Sequence, residues 1–115
     1  MDFINRSIII IKPKQPFVDW VNSTDPDAHF KVTLEMVRSD PTCILIPEFV
    51  GTEAGQKYIK KIYNEIWQLK LFGYWTDEKD YPKHRPFEKF KEWFDVEFCS
   101  EVLDFIDEEI EKEEF

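Results

Sequence analysis

The segment from residue 75 to residue 85 gathers side-chain types that general acid–base catalysis uses. It holds a tryptophan, three carboxylates, a histidine and an arginine: Trp75, Asp77, Glu78, Asp80, His84 and Arg85. Loops held on a rigid scaffold often carry catalytic or binding groups, so this segment is a candidate site. Structural roles compete with that interpretation, because Asp77 also suits the N-cap of a turn at Glu78 and Trp75 can fill the core.

A second candidate site lies at the ends of two predicted strands. Lys14 follows the first strand and Glu48 follows the second. If the strands pair in parallel, their carboxyl ends meet at one edge, where open α/β sheets bind ligands. Lys14 and Glu48 then face each other across a cleft, with Asp19 and Trp20 above it. The alternative is a structural ion pair beside a packed tryptophan.

These residues define an enzyme hypothesis, in which a cleft around Lys14, Glu48, Asp77 and His84 binds or hydrolyses a small ligand. No motif specifies a reaction. The sequence has no Cys-x-x-Cys or His-x-x-x-His spacing, no glycine elbow around a serine, and no glycine-rich phosphate loop. We therefore expect no metal and no cofactor, and we assign no catalytic residue.

The most unusual feature of the composition is its acidic carboxyl end. The chain of 115 residues has a formal charge of −9, and from residue 92 onward eleven acids face a single lysine. Clustered like charges at a terminus often form interaction segments. We therefore expect a non-enzymatic protein-interaction module that binds a protein partner, a basic one on charge grounds, through an acidic C-terminal helix and exposed aromatics. The predicted partner-binding residues are Asp104, Glu108, Glu111 and Phe115; the alternative is a solvated tail that only aids solubility.

Charge and hydropathy also exclude classes of partner and compartment. An acidic chain is a poor ligand for phosphate backbones, so we expect no nucleic-acid partner. The longest stretch without a charged residue, 41–47, is too short for a membrane span of about 18 apolar residues. The amino terminus lacks the basic start and apolar run of a secretory signal, so we expect a cytoplasmic protein. There, Cys43 and Cys99 are expected to be reduced core residues rather than a disulfide.

The apolar periodicity predicts an α+β or small α/β fold dominated by helices. Short β-branched runs near 7–12 and 42–47 predict a minimal sheet, and the first run suggests a strand buried on both faces. The clearest helix is capped by Thr52 and ends at Gly73. Phenylalanines at helical spacing predict a last helix over 87–108, although residues 94–98 alternate like a strand.

We expect one globular domain over residues 1–106, followed by an acidic tail over 107–115. Two strands make a marginal sheet. An unpaired strand edge invites either a third strand or pairing across a dimer, so a homodimer is a further expectation.

Several stretches, taken in order, resemble a family of small bacterial proteins of unknown function, about 110 residues long. They are Asn5-Arg6-Ser7, Pro13-Lys14-Gln15-Pro16-Phe17, Asp19-Trp20, Ile46-Pro47-Glu48, Trp75-Thr76-Asp77-Glu78 and Glu92-Trp93-Phe94-Asp95-Val96-Glu97-Phe98. The resemblance spans nearly the whole chain and implies one domain starting near residue 5. It implies no activity.

Overall fold

The computed structural model describes residues 1–114 and shows an α+β fold. Its elements, in chain order, are β1 (Asp2–Phe3), β2 (Ser7–Pro13), α1 (Gln15–Thr24), α2 (Leu34–Ser39), β3 (Thr42–Ile46), α3 (Thr52–Phe72), α4 (Phe87–Trp93), β4 (Phe94–Cys99) and β5 (Leu103–Asp104). A 3₁₀ turn, Glu78–Asp80, lies between α3 and α4. The predicted fold class and both predicted strands are confirmed.

β2 is the central strand of a three-stranded antiparallel sheet with the order β3-β2-β4. Its residues alternate between buried and half-buried, as one covered face requires. Ile9 and Ile11 point into the core, whereas Ile8 and Ile10 keep partial contact with solvent. The expected burial of both faces is therefore wrong for the outer face, because the core cluster lies against one face only.

α3 supplies one wall of the core. Its buried side chains include Ile59, Ile66, Trp67 and Leu71, which join Ile9 and Ile11 of β2 in a single cluster. The helix ends before Gly73, as predicted. Its N-cap is Gly51 rather than Thr52, which is already helical. Gly51 has a φ of 80°, a conformation that favours glycine.

The predicted helix over 87–108 is wrong beyond residue 93. α4 ends at Trp93, and β4 follows at once and pairs with the second side of β2. The register places Phe98 beside Ile9 and Val96 beside Ile11. A sheet of only two strands is marginally stable, and β4 supplies a third strand. The backbone groups of residues 94–99 form hydrogen bonds with β2 instead of the hydrogen bonds of a continued helix.

The two ends of the chain form a separate ribbon. β1 pairs with β5 in antiparallel fashion, and the Ile4 amide donates to the Val102 carbonyl at 3.0 Å. Residues 107–114 are exposed and form neither helix nor strand. The acidic C-terminal helix is therefore a wrong prediction, and the negative end of a helix dipole disfavours such a run of carboxylates.

Cys43 and Cys99 are free thiols on the two outer strands of the sheet. Cys43 lies beside Ile10 and Cys99 beside Ile8, on the outer face. Cys43 is exposed, so its predicted place in the core is wrong, whereas Cys99 is half-buried.

Candidate functional site

The antiparallel sheet separates the two residues of the predicted strand-end site. Lys14 follows the end of β2 that lies beside Thr42 of β3, whereas Glu48 lies beyond Ile46, at the opposite end. Lys14 instead donates from Nζ to the Lys91 carbonyl at 3.2 Å. The predicted cleft between Lys14 and Glu48 does not form, because it required parallel strands.

Trp20 and Trp75 do come together, around the 3₁₀ turn. The Trp20 indole donates to the Asp80 carbonyl at 3.0 Å, and the Trp75 indole donates to Asp80 Oδ2 at 2.9 Å. The buried Tyr81 hydroxyl donates to the Trp75 carbonyl at 2.6 Å. These contacts tie the loop to α1, so they give both tryptophans a structural role.

The remaining polar groups of the predicted sites also make local contacts. Asp77 Oδ1 accepts from the Lys79 amide at 3.2 Å, which confirms its role as an N-cap. Asp19 Oδ1 accepts from Gln15 Nε2 at 2.8 Å. Arg85 donates to Gln68 Oε1 at 2.9 Å. His84 is exposed, and its carbonyl accepts from Lys89 Nζ at 3.3 Å. None of these contacts orients a base toward a nucleophile.

A cavity of about 290 Å³ lies between α3, α4 and β4, where the sequence predicted no site. Its lining is mainly aromatic and aliphatic: Gln56, Ile59, Phe87, Phe90, Lys91, Phe94, Asp95, Val96 and Phe98. The charged groups on its lining are already paired, Lys91 with Glu88 at 3.0 Å and Asp95 with Arg38 at 2.9 Å. We call it the aromatic cavity; its lining combines aromatic rings with polar groups, so it suits a small molecule that carries an apolar ring and a polar group.

The ribbon of the two termini carries the largest concentration of exposed apolar side chains. We call residues 1–4 and 102–114 the terminal surface. Phe3 and Phe105 are each 74% exposed, and Ile106 is 66% exposed. Met1, Leu103 and Ile110 are exposed there as well. Phe3 lies beside Leu103 in the ribbon, so exposed apolar side chains from the two ends of the chain meet there.

Carboxylates surround those apolar side chains. The acids of the terminal surface are Asp2, Asp104, Asp107, Glu108, Glu109, Glu111, Glu113 and Glu114. Within residues 1–114, none of them forms an ion pair with a lysine or an arginine. The predicted partner-binding residues Asp104, Glu108 and Glu111 thus lie on this surface, and Phe115 lies outside the described residues. Composition indicated the acidity, and exposed aromatics were expected in the C-terminal segment; the contribution of Met1 and Phe3 depends on the pairing of β1 with β5 and was not predicted.

Comparison with family models, with curated proteins and with solved structures gave no match. That the chain belongs to the bacterial family it resembles stays a prediction. Residues 1–114 contain no cluster of histidine, cysteine and acidic side chains that could hold a metal ion. In the same span, no helix combines the length and the apolar character that crossing a membrane requires.

Proposed function

We propose that this protein is a non-catalytic interaction module that binds a basic, apolar segment of a partner protein through the terminal surface. The observation that carries the proposal is that exposed apolar side chains and carboxylates without an ion-pair partner both belong to the terminal surface. Burying a side chain of the size of Phe105 stabilises a complex by about 1.5–3 kcal/mol. The carboxylates then select a cationic partner and speed its approach.

The shape of this surface differs from the predicted amphipathic helix. Leu103 and Asp104 are held in β5 by β1, while the residues after 106 extend without regular structure. A partner therefore meets a short ribbon and an acidic extension without helix or strand, and any ordering of that extension on binding carries an entropic cost. Such a surface favours specific but moderate affinity.

The same charge disfavours other partners. Eight carboxylates repel the phosphates of nucleic acids and the headgroups of anionic lipids. The proposal therefore excludes nucleic acid and membrane as ligands of this surface. It also places the module in the cytoplasm, a compartment that suits its two free thiols.

Affinity capture with matched variants tests the proposal. One variant removes apolar anchors (F105S/I106S/I110S), and one removes charge (E108Q/E109Q/E111Q). F30S is the control, since Phe30 is 68% exposed and belongs to the loop between α1 and α2 rather than to the terminal surface. In about 150 mM salt, where long-range charge effects are screened, the wild type and F30S should retain the same partner and both test variants should lose it. Equal capture by all four proteins would contradict the proposal.

A second candidate function is small-molecule binding in the aromatic cavity, favoured by its buried walls of Phe90, Phe94 and Ile59. Indole or benzoate, titrated while amide shifts are recorded, should perturb residues 56, 87 and 98 in the wild type. Val96→Trp fills the cavity and should abolish those shifts. Unchanged spectra of the wild type would rule this candidate out.

A further inference from the structure

The two edge strands of the three-stranded sheet, β3 and β4, differ in how well they are protected against pairing with a strand of another chain. The edge strand β4 carries Asp95 and Glu97, which pair with Arg38 and Lys12 at 2.9 Å each. Charged side chains on an edge strand discourage pairing with another chain. β3, the other edge, reads Thr-Cys-Ile-Leu-Ile and has no charged residue. The β3 edge therefore lacks the protection that β4 has.

Both sides of the β3 edge are apolar. On the core side, a cavity of about 380 Å³ opens between β3 and α3, and its lining includes Ile44, Ile46, Tyr58, Ile62, Glu65 and Leu69. On the outer face, Leu45 is 47% exposed and Cys43 is exposed. A strand that pairs with β3 would cover apolar surface on both faces of the sheet.

We propose that a second copy of this chain pairs with the β3 edge, antiparallel and about a two-fold axis at Ile44. In this register Cys43 lies opposite Leu45 of the second copy, and Thr42 lies opposite Ile46. Pro41 lies opposite Pro47 of the second copy. Proline has no backbone N–H to donate, so the ladder of hydrogen bonds between the two strands ends at these prolines. The strand is therefore complementary to itself in length and sequence, as a two-fold interface requires.

The charge distribution supports a second copy at this place. The whole chain carries −9, so most faces of two copies repel each other. Residues 41–72, which include β3 and α3, hold four lysines against three glutamates. Two copies thus meet with little net repulsion at the β3 edge. Pairing would join both sheets and set the two α3 helices on the same face of the combined sheet.

Light scattering on the full chain measures the oligomeric state directly. At about 100 µM, where a complex of micromolar Kd is largely formed, the wild type should have twice the chain mass of 13.9 kDa. Leu45→Lys places a charge on the exposed side of the edge and should give a monomer. Phe30→Lys introduces the same charge at an exposed apolar residue away from β3 and should remain a dimer. A monomeric wild type would overturn the proposal and leave the β3 edge to another protein. A dimeric L45K would overturn it as well.

A cross-link tests the register even if L45K is unstable. Residues directly opposite in antiparallel strands have Cα atoms about 4.5–5.5 Å apart, within the range that a disulfide spans. Leu45→Cys should therefore form a disulfide with Cys43 of the second copy under oxidation, visible as a dimer on a non-reducing gel. The L45C/C43S variant should stay monomeric on that gel. An L45C protein without cross-linked dimer would contradict pairing about Ile44.

Discussion

Gly55 of α3 and Phe98 of β4 are in direct contact. A Cβ atom at residue 55 would lie 2.8 Å from both Cδ1 and Cε1 of the Phe98 ring, closer than real Cβ atoms come. Phe98 in turn packs edge-on against Phe49, with ring centroids 5.6 Å apart. The absence of a side chain at residue 55 thus lets the first turns of α3 approach the edge of the sheet and shapes one wall of the aromatic cavity.

Gly55→Ala should destabilise the protein by about 1 kcal/mol. The added methyl group overpacks the contact with Phe98 at a cost of about 1–3 kcal/mol, whereas the higher helix propensity of alanine over glycine stabilises α3 by about 1 kcal/mol. Urea unfolding measures this change. Gly73→Ala is the matched control, because its nearest neighbours would be at an ordinary 3.6 Å, and it should be neutral or slightly stabilising. In a Phe98→Ala background the G55A substitution should become stabilising; a cost that persists there would show that the ring is not its cause.

Tyr81→Phe tests the hydrogen bond that closes the 75–85 loop. The Tyr81 hydroxyl donates to the Trp75 carbonyl at 2.6 Å, and the residue is only 6% exposed. We expect Y81F to lower the free energy of unfolding at pH 7 by about 1 kcal/mol, since the buried carbonyl loses its donor. Tyr74→Phe, at an exposed position, should change it by less than about 0.5 kcal/mol.

The cost of Y81F should also depend on pH. Burial raises the pKa of Tyr81, with a further contribution from Glu78 and Asp77 and an opposing one from Arg85. Because the folded state favours the protonated phenol, this contribution is complete below the ordinary pKa of about 10 and is lost as pH rises through the folded value. The stability difference between wild type and Y81F should shrink above pH 10. A constant difference up to pH 11 would contradict this assignment.

Lys70→Met tests a half-buried charge at the end of β3. Lys70 Nζ donates to Thr42 Oγ1 at 2.9 Å, and burial lowers the pKa of this lysine. The folded state therefore disfavours the charged ammonium, and this cost is present at neutral pH and relieved as pH rises toward the unfolded value of about 10.4. K70M should be more stable than the wild type at pH 7, by less than about 1 kcal/mol, and the gain should fade toward pH 10. Lys61→Met, on an exposed side chain, should show no such trend.

The sequence predicted the helices that are determined by residues close to one another in the chain. The three- and four-residue spacing of Ile59, Ile62 and Ile66 requires a helix that buries one face, and α3 has that face. Thr33, a residue type that favours the N-cap, caps α2, and its Oγ1 accepts from the Met36 amide at 3.2 Å. These features need no knowledge of distant residues.

The helix predicted over 87–108 was wrong because one spacing fits two structures. Phe94 and Phe98 are four residues apart, a separation that places side chains on one face in a helix and also in a strand. Val96, between them, fits only the strand. Its neighbour in the sheet is Ile11, far away in sequence, so local periodicity could not reveal the partner that decides the outcome.

How much of each candidate site could be predicted depends on whether that site requires the topology of the whole chain. The cleft between Lys14 and Glu48 depended on strand direction, which is a property of the whole topology and is antiparallel here. The acidity of the terminal surface needed no topology, since it is a matter of composition. The contribution of Met1 and Phe3 to this surface depends on the pairing of β1 with β5, and residues 1–4 gave no sign of that pairing.

Removal of residues 107–115 should leave the fold intact, because residues 107–114 are exposed and form no helix or strand. The segment holds six acids and one lysine, so its loss also relieves self-repulsion. We expect a melting temperature equal to that of the full chain or slightly higher, with the difference vanishing in about 1 M salt.

A longer deletion, which ends the chain at residue 101, provides the contrast. It removes β5 and the Val102 carbonyl that accepts from the Ile4 amide. Amide exchange at residues 2–4 should then become fast, whereas Ile9 and Ile11 in the core should stay protected in both deletions. Unchanged protection at residue 4 would show that the ribbon does not form in solution, and loss of protection at Ile9 in the shorter deletion would show that the acidic segment belongs to the folded core.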